Sequence, residues 1–155
     1  MFGMIEINKI KKVVVKVGSS LIANYKTGSI RESWVKSFVE DLNILFKKNI
    51  KILIVSSGAI AIGRKKIGFQ KKKLNLDEQQ ASASVGQIYL INTYKKSFKK
   101  KKIEIQYSET GKWIGWKKYK EVTIVEGDAS FYIQDKKVVG WLEENGYFFI
   151  RMMGG

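Results

Sequence analysis

A single lysine lies inside an apolar run near the start of the chain. The run VVVKVGSS covers residues 13–20, and it is typical of a buried parallel strand that ends in a glycine and two serines. Burying an ammonium group costs free energy unless an anion pairs with it, so Lys16 indicates an anion site. The compact charge of a lysine suits a phosphoryl group. The alternative is a lysine that only extends to water, which the KVGSS stretch alone does not exclude.

A second glycine turn follows a second apolar strand. In IKILIVSSGAIAIG, residues 50–63, Ser57 and Gly58 end a strand much as Gly18 and Ser19 end the first one. Ligands of open parallel sheets bind at the carboxyl ends of the strands. The two turns therefore predict one crevice in which backbone N–H groups and helix dipoles suit phosphate or carboxylate. Neither turn has the spacing of the Walker loop or of the dinucleotide-binding glycine pattern.

The elements that must hold these turns alternate between strand and helix. Apolar residues at three- and four-residue spacing predict a helix from about Ile30 to Lys48. A further helix is predicted from Asp77 to Tyr94, where acidic residues suit a helix N-terminus and many small residues indicate close packing. The order of strand, helix and strand predicts an α/β fold with a parallel sheet and flanking helices.

The composition limits the chemistry that the chain can perform. The 155 residues include no cysteine and no histidine. This excludes disulfides, thiol chemistry and the usual transition-metal sites, and it leaves oxygen-ligated cations such as Mg²⁺. No apolar run approaches the roughly 18 residues of a membrane span. Residues 1–12 lack the apolar stretch of a signal peptide, so a cytoplasmic protein without a membrane partner is expected.

The net charge of +15 is unevenly distributed along the chain. Residues 1–102 carry 22 basic and 6 acidic side chains, whereas residues 103–155 carry 7 and 8. Six lysines stand within residues 95–102, a cluster that would suit contacts with nucleic acid. We favour a solvated helix end, because lysines stabilise helix C-termini and this cluster follows a predicted helix. Nucleic acid is therefore not the favoured partner.

Three stretches of the front segment resemble the signature stretches of glutamate 5-kinases in the amino acid kinase family. They are KKVVVKVGSSLIA, IKILIVSSGAIAIGRKKIG and DEQQASASVGQIYLINTY, and they occur in order within about residues 11–105. The resemblance implies an amino acid kinase-like sheet and phosphorylation of the side-chain carboxylate of L-glutamate in proline biosynthesis. L-glutamate, ATP and Mg²⁺ are the implied substrates and cofactor, and self-association into a homo-oligomer is left open.

The same resemblance implies roles for six residues. Three residues are expected to contact the ATP phosphates: Lys16, Gly18 and Ser19. The other three are expected to contact the substrate: Ser57, Gly58 and Ala59. Lys16 matches the phosphate-contacting lysine of the family and is the expected catalytic residue. Ser57 matches the serine that holds glutamate. No residue of this chain is assigned to a metal.

The resemblance ends near residue 105, and we divide the chain there into a kinase-like part, 1–105, and a tail, 106–155. The tail contains neither the asparagine- and aspartate-rich loops nor the nucleotide-binding half of the family, so a truncated, weakly active or inactive kinase is expected. Its short β-rich runs, separated by turn signals, predict a small antiparallel meander. A frame-changed, poorly ordered tail is the interpretation that we favour.

Two functions from different classes are compatible with the sequence. The first is glutamate 5-kinase-like transfer of a phosphoryl group. The second is a non-catalytic basic module that binds anions or nucleic acid and is built on the front of the kinase fold.

Overall fold

A computed structural model describes residues 9–70, 73–108, 122–126 and 147–152, with side chains through residue 105. The elements in these ranges are β1 (Lys12–Val17), α1 (Ser19–Ile22), α2 (Glu32–Lys47), β2 (Lys51–Ser56), α3 (Ala59–Ile67), α4 (Leu76–Lys99), β3 (Gln106–Ser108), β4 (Val122–Glu126) and β5 (Tyr147–Met152). The predicted α/β class is confirmed. None of the helices within these ranges is long and apolar enough to cross a bilayer.

The strands form one sheet in the order β3-β4-β2-β1-β5. β1 and β2 are neighbours in its middle, and they pair in parallel from Lys12 opposite Lys51 to Val17 opposite Ser56. β5 pairs in parallel with β1, and β4 pairs in parallel with β2. The parallel unit of strand, helix and strand that the sequence predicts is therefore confirmed.

The later strands differ from the predicted antiparallel meander. The runs EVTIV and GYFFIRM do form strands, but β4 and β5 lie on opposite sides of the β1–β2 pair and run parallel to it. Residues 127–146 separate them, which is long enough for a parallel connection of about a dozen residues or more. For these two runs, the parallel pairing differs from the antiparallel pairing that the turn signals predict. The predicted strands SFYIQ and KKVVGWL lie outside the described residues, and the division at residue 105 stays a prediction.

Alternation along β1 separates the two faces of the sheet. Val13, Val15 and Val17 belong to the main hydrophobic core, where the helices bury their apolar sides. Val14 is also buried, with 3% of its surface exposed, but it lies outside that core. Because successive side chains of a strand point to opposite faces, Lys16 shares the face of Val14, away from the helices. Lys16 is half-buried there.

The first long helix follows the predicted periodicity. α2 occupies most of the predicted range of residues 30–48, and its ends lie within two residues of the predicted ones. Trp34 stacks on Phe38 with ring centroids 4.9 Å apart. The side chains that α2 buries are Val35, Phe38, Val39 and Leu42. The apolar face predicted from the sequence is therefore the face that meets the core.

The second long helix begins at a capping box. The Asn75 side chain accepts a hydrogen bond from the Glu78 backbone N–H at 2.8 Å, and the Glu78 carboxylate accepts one from the Asn75 N–H at 2.9 Å. α4 continues to Lys99, beyond the predicted end at Tyr94, because lysine is a good helix former. The buried residues of α4 recur at every fourth position: Ser82, Gly86, Leu90, Tyr94 and Phe98.

The lysine cluster at residues 95–102 lies where α4 ends. All six lysines are exposed, and the ammonium group of Lys101 is 4.0 Å from the carboxylate of Glu40 on α2. This location agrees with the solvated helix end that we favoured. Whether nucleic acid is a partner stays a prediction.

Small residues let α3 and α4 pack backbone against backbone. A Cβ atom placed on Gly63 would be 1.6 Å from the carbonyl oxygen of Ser82. A Cβ atom on Gly86 would be 1.8 Å from the carbonyl oxygen of Ala59. Since both obstacles are backbone atoms, no side chain fits at either position. The close packing predicted from the small residues is confirmed.

We expect Gly86→Ala to lower the free energy of unfolding by about 3 kcal/mol or more, because the added methyl group must push two backbones apart. Helix propensity alone would give the opposite sign, a gain of up to about 1 kcal/mol. Ser84→Ala on the exposed side of α4 is the control, with an expected change within about 0.5 kcal/mol. Urea titrations followed by circular dichroism measure both values, and an unchanged or stabilised Gly86→Ala protein would contradict the packing.

Candidate active site

The two glycine turns lie side by side at the carboxyl edge of the sheet. We call residues 18–20 the first turn and residues 57–59 the second turn. The backbone N–H of Ser57 donates to the carbonyl oxygen of Val17 at 3.1 Å, which extends the pairing of β1 with β2 by one step. A Cβ atom placed on Gly58 would be 3.8 Å from the Cα atom of Ser19. The structure therefore brings together the two turns that the sequence predicts to share a site.

Lys16 precedes the first turn on β1 and lies on the face of the sheet away from the helices. It is in register with Val55 of β2 on one side and with Arg151 of β5 on the other. Val55 is buried, so an apolar residue lies beside Lys16 on the neighbouring strand. Lys16 is the second-last residue of β1, so it lies close to the strand end, as the predicted contact with a phosphate requires.

The first turn opens a helix of a single turn. α1 comprises only Ser19–Ile22, and Gly18 at its N-cap has extended backbone angles. A helix this short contributes little macrodipole, so the dipole that we predicted at this turn is weak. The hydroxyl group of Ser19 is hydrogen-bonded to the hydroxyl group of Tyr25, which adds a second hydroxyl beside the turn. The sequence analysis missed Tyr25, because no motif or periodicity marks it in its polar loop.

The loop that carries Tyr25 is folded on itself and docked on α3. The side-chain oxygen of Asn24 accepts a hydrogen bond from the Lys26 N–H at 2.9 Å, which forms a local turn. Gly28 has a φ of +66°, and a Cβ atom there would be 2.3 Å from the Cβ atom of Lys65. These contacts hold Tyr25 next to the first turn.

The second turn depends on a glycine in the left-handed region. Gly58 has a φ of +110° and is the N-cap of α3. A Cβ atom there would be 2.6 Å from the Ile22 side chain, so both the backbone conformation and the space favour glycine. Ala59 begins α3 with a buried side chain, and only its backbone can reach a ligand. The first N–H groups of a helix have no acceptor within the helix, so they are available here for an anion.

Two buried hydroxyl groups lie behind the second turn. Ser56 and Tyr94 are both 0% exposed, and their hydroxyl oxygens are 3.1 Å apart. The Ser56 hydroxyl also donates to the carbonyl oxygen of Ser57 at 3.2 Å. Burial raises the pKa of the Tyr94 phenol above its usual range, and the hydrogen bond to Ser56 opposes part of this shift. The sequence analysis missed both residues, because a serine at a strand end and a tyrosine in a helix belong to no motif.

The described residues form no cluster of acidic metal ligands. In the ranges with described side chains, no group of three or more carboxylates could hold one. Neither turn contains an acidic residue. The residues described at the two turns therefore offer Mg²⁺ no carboxylate ligand.

A separate groove of about 390 Å³ lies between α2 and α4. Its lining includes Lys36, Tyr89, Lys96 and Lys100. None of the six predicted site residues lines it. The groove is therefore distinct from the site formed by the two turns.

Comparison with known proteins decides the family. A model of the amino acid kinase family matches residues 11–145, which include Lys16 and both turns. The chain belongs to the amino acid kinase family. The resemblance found in the three signature stretches is confirmed, and the family match continues beyond residue 105, where those stretches end.

Within the amino acid kinase family, the chain is similar to curated glutamate 5-kinases. It is 47% identical over 95 residues to the glutamate 5-kinase of Pelagibacter ubique. The identity is 44% over 92 residues to the enzyme of Bartonella henselae and 41% over 85 residues to the enzyme of Bradyrhizobium diazoefficiens. The alignments cover 61%, 59% and 55% of this chain but 26%, 24% and 23% of those relatives. The chain therefore spans about a quarter of their length.

A solved structure is also similar to this chain. It is the product complex of T. acidophilum isopentenyl phosphate kinase, at 12% identity and a TM-score of 0.46. The alignment covers 91% of this chain and 54% of that chain.

The buried phenol of Tyr94 predicts a specific loss of stability in alkali. An unfolded tyrosine loses its proton near pH 10, whereas folded Tyr94 keeps it, so the unfolded state binds fewer protons and the free energy of unfolding falls as pH rises. Between about pH 10.5 and 12, we expect the wild type to lose about 1 kcal/mol per pH unit more than Tyr94→Phe. Urea titrations at several pH values measure the difference, and parallel curves for the two proteins would contradict it.

Proposed function

We propose that this chain carries the glutamate- and phosphate-facing part of a glutamate 5-kinase, which phosphorylates the side-chain carboxylate of L-glutamate with ATP in proline biosynthesis. The observation that carries the proposal is that the two turns lie side by side. The Ser57 N–H donates to the carbonyl oxygen of Val17, the residue before the first turn, at 3.1 Å, and a Cβ atom placed on Gly58 would be 3.8 Å from the Cα atom of Ser19. The similarity to glutamate 5-kinases supports the choice of substrate. The amino acid kinase family match over residues 11–145 includes both turns.

In the proposed reaction, an oxygen of the glutamate side chain attacks the γ-phosphorus of ATP. The new O–P bond gives γ-glutamyl phosphate. The bond between the γ-phosphorus and the oxygen that bridges the β- and γ-phosphates breaks, and ADP leaves with that oxygen. The carboxylate is already ionised at neutral pH, so the reaction needs no general base. It needs positioning of the two substrates and neutralisation of charge on the transferring group.

Different residues at the carboxyl edge position the substrates and neutralise the charge. Lys16 neutralises charge on the phosphoryl group, while Gly18 and Ser19 hold the phosphates through their backbone and hydroxyl groups. The Ser57 hydroxyl and the backbone of the second turn hold glutamate. Since Gly58 carries no side chain, the substrate can approach the backbone closely at that residue.

The remaining expectations belong to the same proposal. Mg²⁺ accompanies ATP as the resemblance implies, the chain acts in the cytoplasm, and self-association is left open. The alternative of a non-catalytic basic module gains no support from the comparisons, because the relatives reported above are glutamate 5-kinases.

Lys16→Ala should weaken the binding of ATP, because it removes the ammonium group proposed to face the phosphates. We expect about a tenfold loss of affinity by calorimetry, as for one charge-assisted hydrogen bond. Lys11→Ala is the matched control: it removes an exposed lysine just before β1, and it should change the affinity by less than about twofold. Equal ATP affinity in Lys16→Ala and wild type would contradict the assignment of Lys16.

These 155 residues alone should turn over glutamate far more slowly than the roughly 1 to 100 per second of kinases. Phosphoryl transfer depends on holding both substrates, and the chain matches about a quarter of the length of its relatives. A hydroxamate assay for γ-glutamyl phosphate measures the rate, and complementation of a strain without glutamate 5-kinase tests the function in cells. Growth without proline that is lost on Lys16→Ala would show that the chain is sufficient.

A further inference from the structure

A serine interrupts the apolar pattern at the end of β2. The residues before it, in KILIVS, include four buried apolar side chains, and Ser56 is fully buried as well. A buried hydroxyl group costs free energy unless it is hydrogen-bonded. The hydroxyl of Ser56 has two partners, the Ser57 carbonyl oxygen at 3.2 Å and the Tyr94 hydroxyl at 3.1 Å. Its place in the core is therefore explained by these two contacts.

The hydroxyl group of Tyr94 is also unexpected at its position. Tyr94 belongs to the buried stripe of α4, and Leu90 and Phe98 lie one turn before and after it in the same core. Phe98 shows that this stripe accommodates a phenyl ring without a hydroxyl group. A phenylalanine at residue 94 would bury an equal ring without the cost of a buried phenol. The specific contribution of tyrosine is its hydrogen bond to Ser56.

Counting protons gives the direction of the two hydrogen bonds. The Ser56 hydroxyl has one proton, which it donates to the carbonyl oxygen of Ser57. Either oxygen of the 3.1 Å contact could be the donor, and with the Ser56 proton on the Ser57 carbonyl oxygen we assign the donor to the Tyr94 hydroxyl. The order Tyr94, Ser56, Ser57 forms a relay of hydroxyl groups from the core to the second turn, and we call it the hydroxyl relay.

The hydroxyl relay ends on the peptide group between Ser57 and Gly58. Glycine adopts positive and negative φ with similar ease, so Gly58 by itself does not fix which way this peptide faces. In a planar trans peptide, the C=O and N–H groups point in opposite directions. A hydrogen bond that holds the Ser57 carbonyl toward the core therefore directs the Gly58 N–H away from the core.

We propose that Tyr94 and Ser56 are positioning residues that hold the Gly58 N–H in the orientation in which the second turn receives L-glutamate. The identity of the ligand rests on the proposed function, whereas the orientation of the peptide rests only on the contacts described here. Neither side chain touches the substrate in this proposal. Both act through the backbone of the second turn.

Backbone NMR of the full chain tests the orientation directly. In Tyr94→Phe, which keeps the ring, we expect the carbonyl carbon of Ser57 and the amide of Gly58 to shift or to give two sets of signals. Titration with L-glutamate should show about a fivefold loss of affinity, the effect of one hydrogen bond. Tyr89→Phe is the matched control, because it removes the same atom from the exposed side of the same helix and should change neither the signals nor the affinity.

A double-mutant cycle separates the hydroxyl relay from a general loss of packing. Ser56→Ala should reproduce the effects of Tyr94→Phe, and the double variant should bind L-glutamate no more weakly than Ser56→Ala alone, since Tyr94 acts through Ser56. Thermal unfolding of each variant verifies that it is folded.

Two results would overturn the proposal: unchanged Ser57 and Gly58 signals in Tyr94→Phe, or additive losses of affinity in the double variant. Failure of the wild type to bind L-glutamate would instead overturn the proposed function. The signals of Ser57 and Gly58 would still decide whether the hydroxyl relay orients the peptide.

Discussion

The parallel register between β1 and β2 is the constraint on which the candidate site depends. Val17 lies opposite Ser56, so both strands reach the carboxyl edge together and their turns begin side by side. A shift of one residue in this pairing would move one turn by about 3.3 Å and would exchange the faces of the strand. Ser56 would then leave the helical core, and the second turn would no longer meet the first.

The contact between α3 and α4 also helps to position the candidate site. Gly63 and Gly86 bring the two helix backbones together, and the second turn opens directly into α3. The carbonyl oxygen that approaches Gly86 belongs to Ala59, a residue of the second turn itself. Packing between the helices and the geometry of the turn are therefore parts of one arrangement, in which a residue that contacts no substrate can still matter to the site.

Local patterns predicted the elements that carry the site. The apolar runs at β1 and β2 and the periodicity of α2 gave strands and a helix close to the observed ones, and their glycine turns indicated the carboxyl edge. Side-chain partners distant in sequence could not be predicted in this way. Tyr94 meets Ser56 across 38 residues, and only the course of α4 through the fold brings them together. For the same reason, the turn signals of the tail did not reveal that β4 and β5 pair in parallel with β2 and β1.

The four-residue spacing of the buried side chains in α4 also has a geometrical consequence. Four residues rotate about 400° around a helix of 3.6 residues per turn, so each step of the stripe advances about 40° beyond a full turn. From Ser82 to Phe98 the stripe therefore winds by about 160° around the axis. A straight helix can thus face α3 with its first half and the sheet with its second. A single inserted residue between Gly86 and Tyr94 would rotate the phenol by about 100° away from Ser56 while leaving the contact with α3 intact.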